Sequence, residues 1–206
     1  MRIDPSVTPM PAIYQFLISA VVPRPIAFVS TRGADGSTNL APFSFFTALS
    51  SQPPMLGIAI VDRGEDVKDT LRNIRETHEF VVNVVNEPLL QAMVRTSGEW
   101  PASTSEFDVA HLTPASSERV MAPYVKESPL QLECRLHREI PIGSSTFIVG
   151  EIVLARASDD VLHDGRVDPR KLAPVGRLGG ELYSLLREVR SVPRPRVSRT
   201  SGEAEG

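Results

Sequence analysis

Between residues 30 and 47 the chain concentrates small polar groups beside aromatic ones: Ser30-Thr31, then Asn39-Leu40-Ala41-Pro42-Phe43-Ser44-Phe45-Phe46-Thr47. An extended segment alternating amide, hydroxyl and aromatic side chains can address a flat heteroaromatic ring. Backbone groups freed around Pro42 would face the ring's edge, and Asn39, Ser44 or Thr47 would add hydrogen bonds. The same letters also fit an edge strand whose polar residues face water while the phenylalanines fill the core. A second group is Arg63-Gly64-Glu65-Asp66-Val67-Lys68-Asp69-Thr70. It sets one arginine just before a helix start, with a lysine and a threonine hydroxyl in the first turn. Free N–H groups and partial positive charge at a helix N-terminus suit a dianionic phosphate, with Arg63 and Lys68 completing its neutralisation. A capped surface helix, with Asp66 and Asp69 favourable near its dipole, accounts for the segment too.

Other chemistries find little footing. The histidines stand at 78, 111, 137 and 163, without the HxxxH, HxH or HExxH spacing of a metal site, and His137 reads as a structural or surface residue on a strand. The lone Cys134 excludes an intramolecular disulfide and fits a small buried residue. GxSxG, Walker A and GxGxxG are all absent; Gly143-Ser144-Ser145 is only a turn.

The elements that must position these residues are mostly strands. Of 206 residues, 41% are hydrophobic and 18 are proline, which disfavours a long-helix bundle. Ile26–Ser30 reads as a strand, Arg32–Gly36 as a hairpin turn, and 37–50 as the returning strand, kinked or confined to an edge by Pro42. Met55–Val61, Glu79–Val85, Leu130–Ile140 and Thr146–Ala155 are further strands. Asp66 can cap a helix over 67–77, and Asn86 a second one with Pro88 in its first turn and Gly98 at its end. Residues 99–124 suggest a long loop with one short helix. About six strands in antiparallel hairpins with two short helices point to a closed or partly closed β-barrel. Residues 1–189 read as one domain, and 190–206, rich in Arg, Ser, Pro, Gly and Glu, as a disordered or partner-contacting tail.

Net charge of −3 offers no basic field for nucleic acid or an anionic membrane, although only three of the 22 basic residues (Lys68, Lys126 and Lys171) are lysines. The apolar run 12–22 contains Tyr14, Gln15 and Ser19 and falls short of the ~20 residues that span a bilayer, so the expected location is cytoplasmic.

Taken in order, several blocks resemble the flavin reductase-like family with the FMN-binding split-barrel fold. They are Pro23–Thr31, Gly36, Asn39–Phe46, Pro53-Pro54, Lys68-Asp69-Thr70 with Asn73-Ile74, Glu79–Asn83, Ser105-Glu106-Phe107, Glu133-Cys134, Gly150–Val153 and Pro174–Tyr183. The resemblance implies a mainly β, six-stranded antiparallel Greek-key split barrel with a few flanking short helices, paired as a homodimer with FMN near the interface. It implies that Ser30, Thr31, Asn39, Leu40, Ala41, Pro42, Ser44 and Phe45 line the ring and ribityl chain, while Arg63, Lys68 and Thr70 hold the phosphate. The 99–107 loop and the Arg177–Gly180 turn would border the ring's open face. NADH or NADPH would be co-substrate, and a flavin-dependent monooxygenase or redox protein the partner. Two alternatives stay open: an FMN-holding electron carrier of the flavoredoxin type, and a flavoenzyme acting on a small organic substrate with Trp100, Phe107 and the Arg177 turn as walls. One departure bears on the hydride donor. The Gly-Asp-His motif of many related reductases is replaced by Gly150-Glu151-Ile152, and His163 comes only later.

Overall fold

Gly36 adopts φ 87°, a backbone value open to glycine, and the turn is closed by Gly33 N–H donating to Ser37 O (2.8 Å) and Ser37 N–H to Asp35 Oδ1 (2.9 Å). It joins β2 (Ala27–Arg32) to β3 (Thr38–Phe43) in a computed structural model that describes residues 1–61, 68–98, 100–101 and 104–195. Before the turn lie α1 (Met10–Ala20) and β1 (Arg24–Pro25). After it come β4 (Phe46–Ser51), β5 (Pro54–Val61), α2 (Asp69–Thr77), β6 (Glu79–Val84), α3 (Leu90–Thr96) and α4 (Glu106–Ala110). The remainder is β7 (Pro114–Ala115), β8 (Tyr124–Val125), β9 (Leu130–Ile142), β10 (Ser145–Ala157), β11 (Leu162–His163), β12 (Arg166–Val167), α5 (Pro169–Leu172), β13 (Val175–Arg177) and β14 (Tyr183–Leu185).

The main sheet is antiparallel throughout and runs β3-β2-β6-β9-β10-β5-β4. Its end strands β3 and β4 are consecutive in the chain, with only Ser44 and Phe45 between them. Laid flat, seven strands at ~4.8 Å spacing would separate those edges by about 29 Å. The three-residue step from Phe43 to Phe46 reaches at most about 11 Å. The sheet must therefore roll up until its edges meet, yet β3 and β4 do not pair. The result is a barrel split along one seam.

The main sheet thus holds seven strands rather than the six expected. The 37–50 segment read as one kinked strand is two strands on opposite edges. Pro42 does lie on an edge, where its missing N–H breaks no ladder bond. Two apolar cores follow from the alternation along β2. Ala27 and Val29 point into the barrel with Leu56, Ile58, Phe80 and Ile148, while Phe28 packs outward with Leu40, Met93 and Phe107. Cys134 is fully buried inside the barrel, where burial pushes its thiol pKa up and keeps it a hydrophobe. Glu133, on the opposite face of β9, accepts backbone N–H bonds from Glu118 (3.1 Å) and Arg119 (2.6 Å), so its buried charge ties the 117–123 loop to the barrel wall.

Helix boundaries follow local chemistry with two additions. Asn86 Oδ1 accepts from Leu89 N–H (3.2 Å) and starts a 3₁₀ turn that leads into α3. The described part of α2 begins at Asp69, with Lys68 in the capping position; the expected cap, Asp66, lies outside the described residues. The short helix expected in 99–124 is α4. Neither α1 nor the C-terminal hairpin β13–β14, which adds to β1 in a separate three-stranded sheet, was evident in the residue pattern. Residues 190–195 have no regular secondary structure, and the rest of the expected tail lies outside the described residues.

Close approach explains two strand glycines. A Cβ on Gly150 would sit 2.4 Å from Phe80 Cζ, and one on Gly57 2.2 Å from Phe147 Cζ, so each glycine makes room for an aromatic ring. Gly150→Ala is expected to lose about 1–3 kcal/mol through overpacking, lowering Tm by about 2–4 °C per kcal/mol. Phe80→Leu in the same background should restore part of that loss in a thermal melt. An unchanged Tm for Gly150→Ala would contradict this packing.

Candidate functional site

Register brings the polar residues of the hairpin together. Thr31 faces Asn39 across β2 and β3, and both side chains meet the first turns of α2. Asn39 Nδ2 donates to Thr70 Oγ1 (2.7 Å), and Asn73 Nδ2 donates to Thr31 Oγ1 (3.0 Å). All four residues are buried, so these bonds bind α2 to the hairpin with well-desolvated groups. Because Thr70 Oγ1 is already an acceptor from Asn39, its own proton is available to a further acceptor. Asn73 Oδ1 is buried without a hydrogen-bond partner among the described residues, leaving an unfilled acceptor beside that group.

The N-terminus of α2 opens next to this square. Lys68 occupies its capping position, and an ammonium group cannot accept from the helix N–H groups, so the end has no side-chain cap of the Asp or Ser type. The Lys68 ammonium lies 5.1 Å from the Phe43 ring centroid, which draws it toward the end of β3. The helix dipole and the Thr70 hydroxyl favour an anion at this end, and the Lys68 cation lies between it and Phe43. Arg63, the other cation expected there, lies outside the described residues.

At the other end of β3 the seam presents Pro42, Ser44 and Phe45. Arg24 is buried beneath them. Its Nε donates to Ser44 Oγ (3.3 Å), Nη1 to Ile18 O (2.6 Å) and Val21 O (2.8 Å), and Nη2 to Leu178 O (2.9 Å). The guanidinium thus caps the C-terminal carbonyls of α1 and also holds the turn after β13. It lies 5.9 Å from the Phe45 ring centroid. Burial lowers its pKa, and the neighbouring Arg177 charge adds to that. A cavity of about 200 Å³ opens here, bounded by α1, Pro42–Ser44, α3 and the β13–β14 hairpin.

The remaining candidates point elsewhere. The Ser30 hydroxyl lies on the opposite face of β2 from Thr31; it donates to Pro123 O and accepts from Asn83 Nδ2 (3.0 Å). Leu40 packs its side chain against Phe28 and α3–α4, and its N–H donates to Glu106 Oε2 (3.2 Å). Burial raises the Glu106 carboxyl pKa, against the pull of that backbone bond. Ala41 packs against the barrel interior. Thus Thr31, Asn39 and Thr70 gather at one end of β3 and Pro42, Ser44 and Phe45 at the other, with the Lys68 ammonium reaching Phe43 at that second end, while Ser30 and Leu40 face away.

Of the walls expected for an organic-substrate pocket, Arg177 lines the seam cavity, whereas Phe107 is buried in the outer core and Trp100 is exposed. Residue patterns missed Tyr14 and Ile18 as cavity walls because α1 was not recognised, although Pro9 and Pro11 ahead of an apolar run were a usable start signal. Asn73 and Asn83 were equally hidden, since only tertiary pairing reveals their amides.

A family model described as the flavin reductase like domain matches residues 19–171. A relative from Aquifex aeolicus is 41% identical over 173 residues, covering 83% of this chain and 88% of the relative. The crystal structure of nitrilotriacetate monooxygenase component B from Bacillus cereus superposes with TM-score 0.90 at 32% identity, covering 93% of this chain and 98% of that one. That of 2-nitrobenzoate 2-nitroreductase from Pseudomonas fluorescens superposes with TM-score 0.85 at 29% identity, covering 98% and 100%. With most of its length matched and its split barrel shared at that level, this chain belongs to the flavin reductase-like family.

Proposed function

We propose that the chain binds FMN along the barrel seam and acts as an NAD(P)H-dependent flavin reductase, supplying reduced flavin to a partner oxygenase. The observation that carries this reading is the α2 N-terminus, a helix end with no side-chain cap, where Lys68 holds the capping position and the Thr70 hydroxyl meets the Thr31–Asn39 pair, a few residues of edge strand from the open seam. That layout fits a long ligand with a phosphate at one end and a flat ring at the other. When bound, the flavin supplies hydride acceptance and electron transfer at its ring. The α2 N–H groups, Lys68 and Thr70 would neutralise and orient the phosphate. Thr31, Asn39 and the unfilled Asn73 acceptor would offer hydrogen bonds to a polyhydroxy chain. Pro42, Ser44 and Phe45 would bound the ring, with Ser44 held in place by Arg24. The partner oxygenase is supported by the Bacillus cereus neighbour, component B of a monooxygenase.

We also propose a homodimer. Tyr14, Phe16 and Leu17 on α1 and Leu49 on the edge strand β4 are large apolar residues left exposed, and β4 is solvent-facing from Thr47 to Ser51. Unpaired edges and apolar patches of this kind are ordinarily covered.

Three measurements test these readings. Lys68→Ala combined with Thr70→Ala should weaken FMN binding at least ~100-fold, from roughly 1.5–3 kcal/mol per lost charged hydrogen bond, while circular dichroism stays native. A double variant that still purifies yellow would place the phosphate elsewhere. NADH and NADPH oxidation should rise with added free FMN; a yellow protein inert to both nucleotides points instead to the electron carrier. Light scattering should report about twice the 22.5 kDa chain mass, and Leu49→Glu should shift it toward the monomer.

A further inference from the structure

We infer that the seam cavity binds a small organic carboxylate, with the Arg177 guanidinium as its counter-charge; this rests on the ring site proposed at the seam and names the class of molecule admitted beside it. Arg24 and Arg177 are direct register partners across β1 and β13, and both line the cavity. Like charges directly opposed in a sheet are unfavourable unless something of opposite sign lies between or beside them. Among the described residues no carboxylate forms an ion pair with either one.

The two arginines are committed differently. Arg24 spends its N–H groups on Ile18 O, Val21 O, Leu178 O and Ser44 Oγ, so it builds the wall. The Arg177 side chain donates no hydrogen bond among the described residues. Its guanidinium instead rests 4.5 Å from the Tyr183 ring centroid, which fixes the plane and leaves the N–H fork for a ligand. A half-buried guanidinium with an unused fork on a cavity wall matches a carboxylate bidentately. Ser44 adds a second donor, because its oxygen accepts from Arg24 and its proton must go elsewhere.

Shape narrows the ligand further. The cavity, about 200 Å³, lies below the ~300–1,000 Å³ of sites for drug-sized ligands. Beyond the two arginines, Ser44 and Ser97, its walls are apolar or aromatic, among them Tyr14, Ile18, Ile26, Phe43, Met93 and Tyr183. A single apolar ring or short chain bearing one carboxylate fits both the volume and the polarity. A molecule with several charges would place the others against these apolar walls.

The test is calorimetric titration of benzoate and of its neutral counterpart benzamide into the FMN-loaded protein, with FMN content measured first. Benzoate should bind at least about 10-fold more tightly than benzamide. Arg177→Gln should remove that preference in protein that still binds FMN, and Arg177→Lys should retain part of it. Equal binding of benzoate and benzamide by the wild-type protein, no binding of either, or full benzoate affinity in Arg177→Gln would overturn the carboxylate site. The wild-type comparison stands even if the variant fails to fold. Absence of FMN binding would instead overturn the flavin reading, so the two failures are distinguishable.

Discussion

A two-residue link between β3 and β4 governs this molecule. These strands end opposite sides of the main sheet, and Ser44-Phe45 is too short to bridge those sides unless the sheet curls fully round. Curvature on that scale needs space on the concave side. Gly150 provides it by letting Phe80 lie directly over backbone, Gly57 makes the same room for Phe147 on the outer face, and register shifts along β9 and β10 add local bending. Closure is incomplete because the strands that meet at the seam do not hydrogen-bond to one another. Two edges consequently face each other, each with unpaired backbone groups.

How those groups are handled defines the site. On the β3 edge, the Leu40 N–H is taken by the Glu106 carboxylate, and two residues later Pro42 has no N–H to satisfy. On the β4 side, Phe45 O accepts from Ala59 N–H (2.8 Å) and extends the ladder into the link itself. On β3 both devices hinder the addition of a further strand. What stays accessible is concentrated at the two ends of β3. The polar square with α2 stands at one end, and the seam cavity at the other.

The hairpin, the helix start at Asn86 and the strands β5 and β6 were legible in the sequence because their signals are local: Gly33 and Gly36 around Ala34-Asp35, Asn86 ahead of Pro88, and apolar runs for the strands. Break and closure at Ser44-Phe45 were not, since nothing in those two residues marks them as a strand end; the break is imposed by where β5 and β10 lie. The α1 helix was obscured for a related reason. It buries only Ile18 within the chain and leaves Tyr14, Phe16 and Leu17 outward, so it lacks the one-sided pattern that normally reveals a helix. Among site residues, Thr31 and Asn39 could be grouped by residue type and spacing, while Thr70 belonged to a separate group whose contact with Asn39 only the fold reveals. The direction of Ser30 could not, because the face it joins is set by Asn83 and the Pro123 carbonyl, both distant in sequence.

Arg24 shows how the constraint at the seam reaches the chemistry. One guanidinium collects the last carbonyls of α1, the carbonyl of Leu178 and the hydroxyl of Ser44, joining three segments far apart in the chain. Its charge is balanced by peptide dipoles rather than by an acid, which suffices to keep it buried but leaves the neighbourhood net positive. An acidic partner would have made the clamp stronger in isolation. It would also have cancelled the field at the one place where the barrel is open. Holding the seam with carbonyls lets the same residue fix the frame and keep the adjoining cavity attractive to anions, a combination that a salt bridge at that position would forfeit.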